Sequence, residues 1–251
     1  MNDKTPKRIS DSFCQFIKAL VKKAVTNCEP FDTQKKWQHI FSSANGHEYV
    51  DLGLPSGTLW ATCNIGATTP EGYGDYFAWG ETLPKSNTTI YFWITYQYCN
   101  GCFDELTKYC NNSSFGYNGF TDNLTTLLPE DDAATANWGS GWCMPTRAQW
   151  EELLENTTIK ETKQNGVSGK LFTAKNGHTL FLPLSGFCDD FEDDYFYEKP
   201  WGAKLVGYSA VYWSSSLITG FPYLTSFFEN DRLKSASRYV GLPVRAVRCA
   251  R

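Results

Sequence analysis

Cysteine thiols are the first side chains of this 251-residue chain whose spacing could support metal chemistry. Cys99 and Cys102 have the C-x-x-C spacing of a zinc knuckle, and Cys110 follows eight residues later. A structural zinc site needs four ligands, and no second C-x-x-C or H-x-x-x-H pair follows this one. We therefore expect buried thiols at these positions, with zinc as the alternative.

Two acidic runs carry the oxygen ligands that calcium prefers. Glu130-Asp131-Asp132 precedes a short helix predicted over residues 132–137, so its charges are expected to compensate the helix N-terminus. The second run matches no loop with defined ligand positions, and we expect a solvated acidic loop. It consists of Asp189, Asp190, Glu192, Asp193 and Asp194. The sequence therefore predicts no cofactor, with bound calcium as the alternative.

Catalytic groups are harder to nominate. The three histidines, His39, His47 and His178, sit in no recognisable motif, so no base is placed beside a nucleophile. The glycine-rich phosphate loops G-x-x-x-x-G-K-[ST] and G-x-G-x-x-G are missing from the sequence. These observations predict a protein that is not an enzyme.

Charge and hydropathy restrict the partners and the location. The net charge of -4 offers no electrostatic footprint for nucleic acid, and no apolar run is long enough for a transmembrane helix. Lysines interrupt the apolar run near the N-terminus, so no secretory signal is predicted. Nine cysteines without such a signal indicate reduced thiols. We expect synthesis in the cytoplasm, with a virion or cell-surface destination left open.

Residues 1–46 are predicted to form a helical segment. Ser12 and Gln15 have the spacing of a capping box, and apolar residues follow at helical intervals. A second short helix is expected after Pro30, with Trp37, Ile40 and Phe41 on one side. The segment either packs on the rest of the chain or serves attachment, oligomerisation or assembly.

Residues 47–251 are predicted to form one α+β domain with short antiparallel strands, one or two helices and much irregular loop. Asn176-Gly177 separates two apolar runs and predicts a hairpin. Thr146 and Gln149 form a second capping box, and Trp150 begins an apolar face that Leu153 and Leu154 continue. Residues 84–129 are expected to be ordered loop. Further strands are predicted at 49–52, 58–62, 170–174, 179–183 and 242–247.

Several sequence motifs of this domain resemble those of a known family. Tyr49–Ala67 and Gly74–Glu81 resemble the opening of the Fibrobacter succinogenes major paralogous domain, which is abundant in gut Bacteroidales and their phages. Trp138–Glu152 resembles its central motif, although Cys143 stands where the family often has Arg. Tyr212–Ser216 and Arg238–Arg248 resemble its C-terminal frame, in which Trp213, Arg238 and Arg245 are framework residues.

The resemblance covers roughly residues 47–249 and implies a fold. The central motif is also similar to the R-L-P-T-E-A-E-W-E phrase of formylglycine-generating enzymes, so the expected fold is that family's variant of the C-type lectin fold. In such proteins the segment before the final strand often faces the ligand. In targets of diversity-generating retroelements, adenine-directed mutagenesis varies that segment.

The resemblance thus assigns ligand-binding residues to a heterogeneous segment near the C-terminus. Aromatic and small polar side chains of this kind can anchor a binding partner. The alternative is that the aromatic residues pack inside. Period-2 alternation predicts that Phe228, Val244 and Val247 are core. The expected ligand-binding residues are Ile218, Gly220, Phe221, Tyr223, Leu224, Thr225, Phe227, Asp231, Arg232, Lys234, Ala236, Ser237, Tyr239 and Val240.

The sequence is compatible with three functions. The first is a non-catalytic ligand- or receptor-binding protein that is a target of a diversity-generating retroelement, with a protein or glycan receptor as partner. The second is a structural or assembly component of a virion or fimbria. The third is a formylglycine-generating-type oxidase, for which Cys188 and Cys249 are the available thiols. The resemblance also implies a homo-oligomer, in particular a trimer.

Overall fold

A computed structural model describes residues 41–86, 89–189, 205–218, 220–222 and 224–248. The predicted helical segment lies outside the described residues except at its C-terminal end, and so do Tyr223 and Cys249. Of the second acidic run, Asp189 is described and the other four members are not.

Antiparallel strands dominate the described part of the chain, which also contains two α-helices. The predicted α+β composition is therefore found, with a strong bias towards β structure. Helix α1 spans Ala133–Trp138 and helix α2 spans Arg147–Asn156. Short 3-10 helices lie at Trp93–Thr95, Tyr117–Gly119 and Pro129–Asp131. The strands are β1 Phe41–Ala44, β2 His47–Asp51, β3 Leu59–Asn64, β4 Tyr76–Phe77, β5 Trp142–Cys143, β6 Thr157–Gln164, β7 Val167–Ala174, β8 Thr179–Pro183, β9 Val211–Leu217, β10 Leu224–Glu229, β11 Arg232–Ser237, β12 Leu242–Pro243 and β13 Arg245–Arg248.

The strands form four sheets. The largest has the order β1-β2-β3-β13-β5, so the last strand of the chain lies between strands from its first and middle parts. A second sheet has the order β11-β10-β9, which places β10 in its centre. The hairpins of β6, β7 and β8 form a third sheet, and β12 pairs with β4 in the fourth.

The hairpin β1–β2 corrects the boundary that we predicted at residue 46. Ala44 pairs with His47, and the two residues between them, Asn45 and Gly46, have φ values of 51° and 79°. Asn-Gly adopts this left-handed geometry readily, and the resulting turn matches the twist of the two strands. Phe41 therefore begins a strand and does not continue a helical face.

Local signals for the other elements are confirmed. The Thr146 side chain accepts from the Gln149 backbone N–H and the Gln149 side chain accepts from the Thr146 backbone N–H, which completes the capping box of α2. Asp132 caps α1, because its carboxylate accepts from the backbone N–H groups of Ala134 and Thr135. Asn176-Gly177 lies in the turn between β7 and β8, as predicted.

Two aromatic clusters form the core on either side of β9 and β10. The first gathers around Trp79 and Trp213, and the second around Trp60, Trp150 and Phe228. The rings of Trp150 and Phe228 stack at 4.7 Å between centroids with an interplanar angle of 7°. The predicted core positions Phe228, Val244 and Val247 are all fully buried.

Replacing Phe228 by Ala should therefore lower the free energy of unfolding by about 3–5 kcal/mol, because the stacked ring leaves a cavity between α2 and the sheet. Phe221→Ala is the matched control, since 51% of that side chain is exposed, and its effect should stay within about 0.5 kcal/mol. Urea unfolding of both variants measures the difference. Equal losses would contradict this division between core and surface.

Candidate functional site

A concave cleft of about 570 Å³ opens between the irregular loop around residues 92–103 and the turn that follows β11. This volume is in the range of small-molecule sites. Among the described residues its walls are mostly aromatic, and their side chains also offer the hydroxyls of Ser237 and Tyr239 and the thiol of Cys102. The residues that line it are Phe92, Trp93, Gly101, Cys102, Phe103, Ser237 and Tyr239.

Ring contacts hold the aromatic wall together. The Tyr239 ring lies 5.2 Å from Phe92 and 5.2 Å from Trp93, at interplanar angles of 58° and 70°. Trp93 in turn meets Tyr96 edge to face at 5.7 Å. The Cys99 thiol donates to the Trp93 carbonyl at 3.1 Å, which ties the loop across its own turn. These contacts give the rings a defined orientation before any ligand arrives.

The turn that carries Tyr239 is set by a close backbone approach. A Cβ on Gly241 would lie 2.5 Å from the ring of Tyr91, so only glycine fits there without movement. Gly241 and Cys188 exchange both backbone hydrogen bonds at 2.8 Å. Tyr91 is anchored in turn, because its hydroxyl donates to the Tyr76 carbonyl at 2.6 Å.

Arg238 joins this turn to the loop on the other side of the cleft. Its guanidinium is fully buried, lies 5.2 Å from the Trp79 ring centroid and donates to the carbonyls of Lys108 and Tyr109. Burial lowers the pKa of this guanidinium below its ordinary value. Arg245 is buried in the same manner, and its Nε donates to Asn64 Oδ1 at 2.8 Å. Both arginines therefore occupy framework positions in the interior.

A buried carboxylate braces the loop that supplies the cleft wall. Asp131 accepts from the hydroxyls of Tyr98 and Tyr109 and from Lys108 Nζ. Burial acts to raise the pKa of Asp131, but these three hydrogen bonds outweigh it and hold the pKa below its ordinary value. Burial raises the pKa of the Tyr98 phenol to well above its usual range. At neutral pH, Asp131 is therefore an ionised carboxylate that accepts from neutral tyrosine hydroxyls.

The predicted ligand-binding residues divide into two groups. The exposed members lie in two places, in the connection between β9 and β10 and on or just before β11. The others, Ile218, Leu224, Ala236 and Ser237, are partly buried. Within this set, Ser237 and Tyr239 line the cleft. The exposed members are Gly220, Phe221, Asp231, Arg232 and Lys234.

Four of the predicted residues, Thr225, Phe227, Tyr239 and Val240, have buried side chains. Thr225 donates its hydroxyl to the Ser216 carbonyl at 2.9 Å, and Phe227 meets Trp213 edge to face at 6.2 Å. Strand β10 lies in the centre of its sheet with an aromatic cluster on each face, so alternation does not turn either face to solvent. Tyr239 still reaches the cleft with part of its ring.

Sequence reasoning missed the half of the cleft that the loop provides. Phe92, Trp93 and Phe103 lie in the stretch that we predicted only as ordered loop. The density of aromatic residues there was the available signal. Their neighbours in the cleft come from a distant part of the sequence, and no local pattern links the two.

Cys99, Cys102, His47 and His178 each contact neighbouring residues of the fold. Burial raises the pKa of the Cys99 thiol, and a hydrogen bond with Asp104 raises that of Cys102, so both are favoured as neutral thiols. The His47 ring stacks on Trp138 at 3.8 Å, and burial lowers its pKa. His178 Nδ1 lies 2.6 Å from the Asp51 carbonyl oxygen. In the described ranges, no three His, Cys, Asp or Glu side chains converge as metal ligands.

No helix within the part of the chain that the structure describes is long and apolar enough to span a membrane. Comparisons of the chain with protein-family models, curated proteins and solved structures found no match.

The bracing role of Asp131 predicts a pH-dependent loss of stability in Asp131→Asn. Because the pKa is lowered on folding, the carboxylate stabilises the fold above the unfolded pKa of about 4, and this contribution disappears as pH falls through the folded pKa. The variant should lose about 2 kcal/mol at pH 7, the range for charged hydrogen bonds. Unfolding free energies measured from pH 7 to pH 3 should show the two proteins converging.

Glu151→Gln provides the control, since its ion pair with Arg147 is exposed and should contribute less than about 0.5 kcal/mol. A loss in Asp131→Asn that persists unchanged at low pH would contradict the electrostatic explanation.

Proposed function

We propose that this chain is a non-catalytic binding protein that presents a ligand-contacting surface on a C-type lectin-like scaffold. A protein or glycan receptor on another cell or particle is the proposed partner. The observation that carries the proposal is the separation, within residues 211–248, of a fully buried frame from side chains that face solvent.

The frame includes the residues that the family resemblance nominated. Trp213 donates its indole N–H to the Phe77 carbonyl at 2.7 Å, and Arg238 and Arg245 bind backbone carbonyls or a side-chain amide in the interior. A substitution at any of these positions leaves buried polar groups without partners. Such positions must stay constant for the fold to persist.

The exposed positions of the segment, by contrast, need not stay constant for the fold to persist. Gly220 and Phe221 lie on an exposed tip, and Asp231, Arg232 and Lys234 are exposed on and before strand β11. Surface substitutions of this kind usually change stability by less than about 0.5 kcal/mol. A segment with this division tolerates diversity without losing its fold, which supports a role as a target of a diversity-generating retroelement in a gut bacterium or its phage.

Deep sequencing of codons 211–251 and the flanking DNA in a population of the source organism tests the diversification. Substitutions should arise at adenines and concentrate on Ile218, Gly220, Phe221, Tyr223, Leu224, Asp231, Arg232, Lys234, Ala236 and Ser237. The buried residues Trp213, Thr225, Phe227, Arg238 and Arg245 should stay constant. A uniform population without a template repeat would leave a binding protein with one fixed partner, and substitutions spread evenly over buried positions would contradict the division.

Binding itself is tested with the labelled full-length chain on intact cells of gut Bacteroidales, measured by flow cytometry. Phe221→Ser and Phe103→Ser should reduce saturable cell binding at least about tenfold, the effect of removing an aromatic anchor. Both should keep a melting temperature within a few degrees of wild type, because Phe221 and Phe103 are 51% and 41% exposed. Tyr208→Ser is the matched control, since this aromatic residue is 81% exposed and lies outside the cleft and the heterogeneous segment. Failure of the wild-type chain to bind any cell tested, or equal losses in all three variants, would contradict the proposal.

A further inference from the structure

Two cysteines lie in one short turn beside the aromatic cleft. Cys99 and Cys102 are separated by Asn100 and Gly101, and both are partly buried free thiols. The chain bends from Asn100 to Cys102, and Gly101 has a φ of 90°, which glycine adopts without strain. The backbone therefore changes direction between the two cysteines.

Hydrogen bonds close this turn into a small loop. Asn100 donates its backbone N–H to the Glu105 carbonyl at 2.8 Å, and Glu105 donates to the Cys102 carbonyl at 3.2 Å. Cys99 forms a β-bridge with Leu106 on the returning arm of the loop. Two thiols held in one such loop meet at a high effective concentration, which favours a bond between them over a bond to a third molecule.

The sulfur of Cys99 lies next to the backbone of Cys102. The backbone N–H groups of Gly101 and Cys102 are within hydrogen-bond reach of Cys99 Sγ. Cys102 Sγ is three covalent bonds from its own backbone nitrogen, so rotation about χ1 of Cys102 changes the distance between the two sulfurs. Asn100 and Gly101 are exposed, so the turn can adjust during this rotation without disturbing the core.

The position of Cys102 gives a small reactant access to the pair. Cys102 lines the cleft, whose volume of about 570 Å³ accepts a small molecule. A hydrogen bond with Asp104 raises the pKa of the Cys102 thiol, and burial raises that of Cys99. Both thiols are therefore protonated at neutral pH, and exchange passes through a minor thiolate form.

The Cys99 thiol also holds the wall of the cleft. It donates to the Trp93 carbonyl at 3.1 Å, and Trp93 lines the same cleft as Cys102. The sulfur of a disulfide has no hydrogen to donate. Oxidation would remove this hydrogen bond and draw the Cys102 sulfur from the cleft towards Cys99.

We propose that Cys99 and Cys102 form a reversible disulfide that controls the loop around residues 92–103 and thereby the shape of the aromatic cleft. The inference goes beyond the proposed binding function and does not depend on it. The oxidant is a low-molecular-weight disulfide that enters the cleft.

The exchange takes two steps. The Cys102 thiolate attacks one sulfur of the small disulfide, which forms a mixed disulfide and releases the first small thiol. The Cys99 thiolate then attacks the Cys102 sulfur of the mixed disulfide, which releases the second small thiol. The two protein thiols lose two electrons and two protons, and the small disulfide gains both to become two thiols.

Incubation of the purified full-length chain with glutathione disulfide, followed by acid quenching and peptide mapping by mass spectrometry, tests bond formation. In most molecules, Cys99 and Cys102 should together lose two hydrogen atoms without a glutathione adduct, and excess reduced glutathione should restore both thiols. Cys99→Ser should accumulate the glutathione adduct on Cys102 at least about fivefold more than wild type, because the second step is missing. Cys63→Ser is the matched control, since this partly buried thiol lies outside the turn, and it should oxidise as wild type does.

Hydrogen exchange of the same samples tests the effect on the cleft. Backbone amides of the loop around residues 92–103 should exchange at least about threefold faster after oxidation, because the hydrogen bond to the Trp93 carbonyl is lost. The hairpin of β7 and β8 provides the internal control and should not change. Cys63→Ser should show the same acceleration as wild type.

Two outcomes would overturn the inference. One is that Cys99 and Cys102 stay free or carry only glutathione adducts. The other is a disulfide between them that leaves hydrogen exchange in the loop unchanged. Cell binding by the fully reduced chain tests the proposed function separately, so either result leaves that proposal standing.

Discussion

Burial of strands β9 and β10 on both faces is the constraint on which the rest of this structure depends. Neighbouring residues of each strand serve different clusters: Trp213 and Phe227 pack into one, whereas Tyr212 and Phe228 pack into the other. The pairing of Phe227 with Trp213 and of Phe228 with Tyr212 keeps the two layers in register. Helix α2 and the long irregular loop are thereby held on opposite sides of one central strand pair.

Buried polar groups connect the irregular part of the chain to this centre. The indole N–H groups of Trp79 and Trp150 donate to the carbonyls of Ser214 and Trp213, so the large rings also act as hydrogen-bond donors to β9. Asp131 and Arg238 satisfy hydroxyl, ammonium and carbonyl groups in the loop around residues 98–109. A loop of this length stays ordered because its polar groups find such partners.

The candidate site follows from both features. Its aromatic wall belongs to the braced loop, and its other side belongs to the turn after β11, which the central sheet positions. A rigid frame next to an exposed tip and strand is suited to recognition, because substitutions at the surface need not disturb the interior.

Local sequence determined the elements whose hydrogen bonds close within a few residues. Predictable elements of this kind are the capping box of Thr146 and Gln149, the cap at Asp132 and the turn at Asn176-Gly177. The Asn45-Gly46 turn has an equally local signal, but we predicted residues 1–46 as helical instead. The sequence could not determine which residues of the heterogeneous segment face solvent. Thr225 and Phe227 are buried because β10 lies between two strands and two clusters, an arrangement made by contacts between distant residues. The cleft was likewise decided by tertiary structure alone, since Phe103 and Tyr239 come together only after the chain has folded.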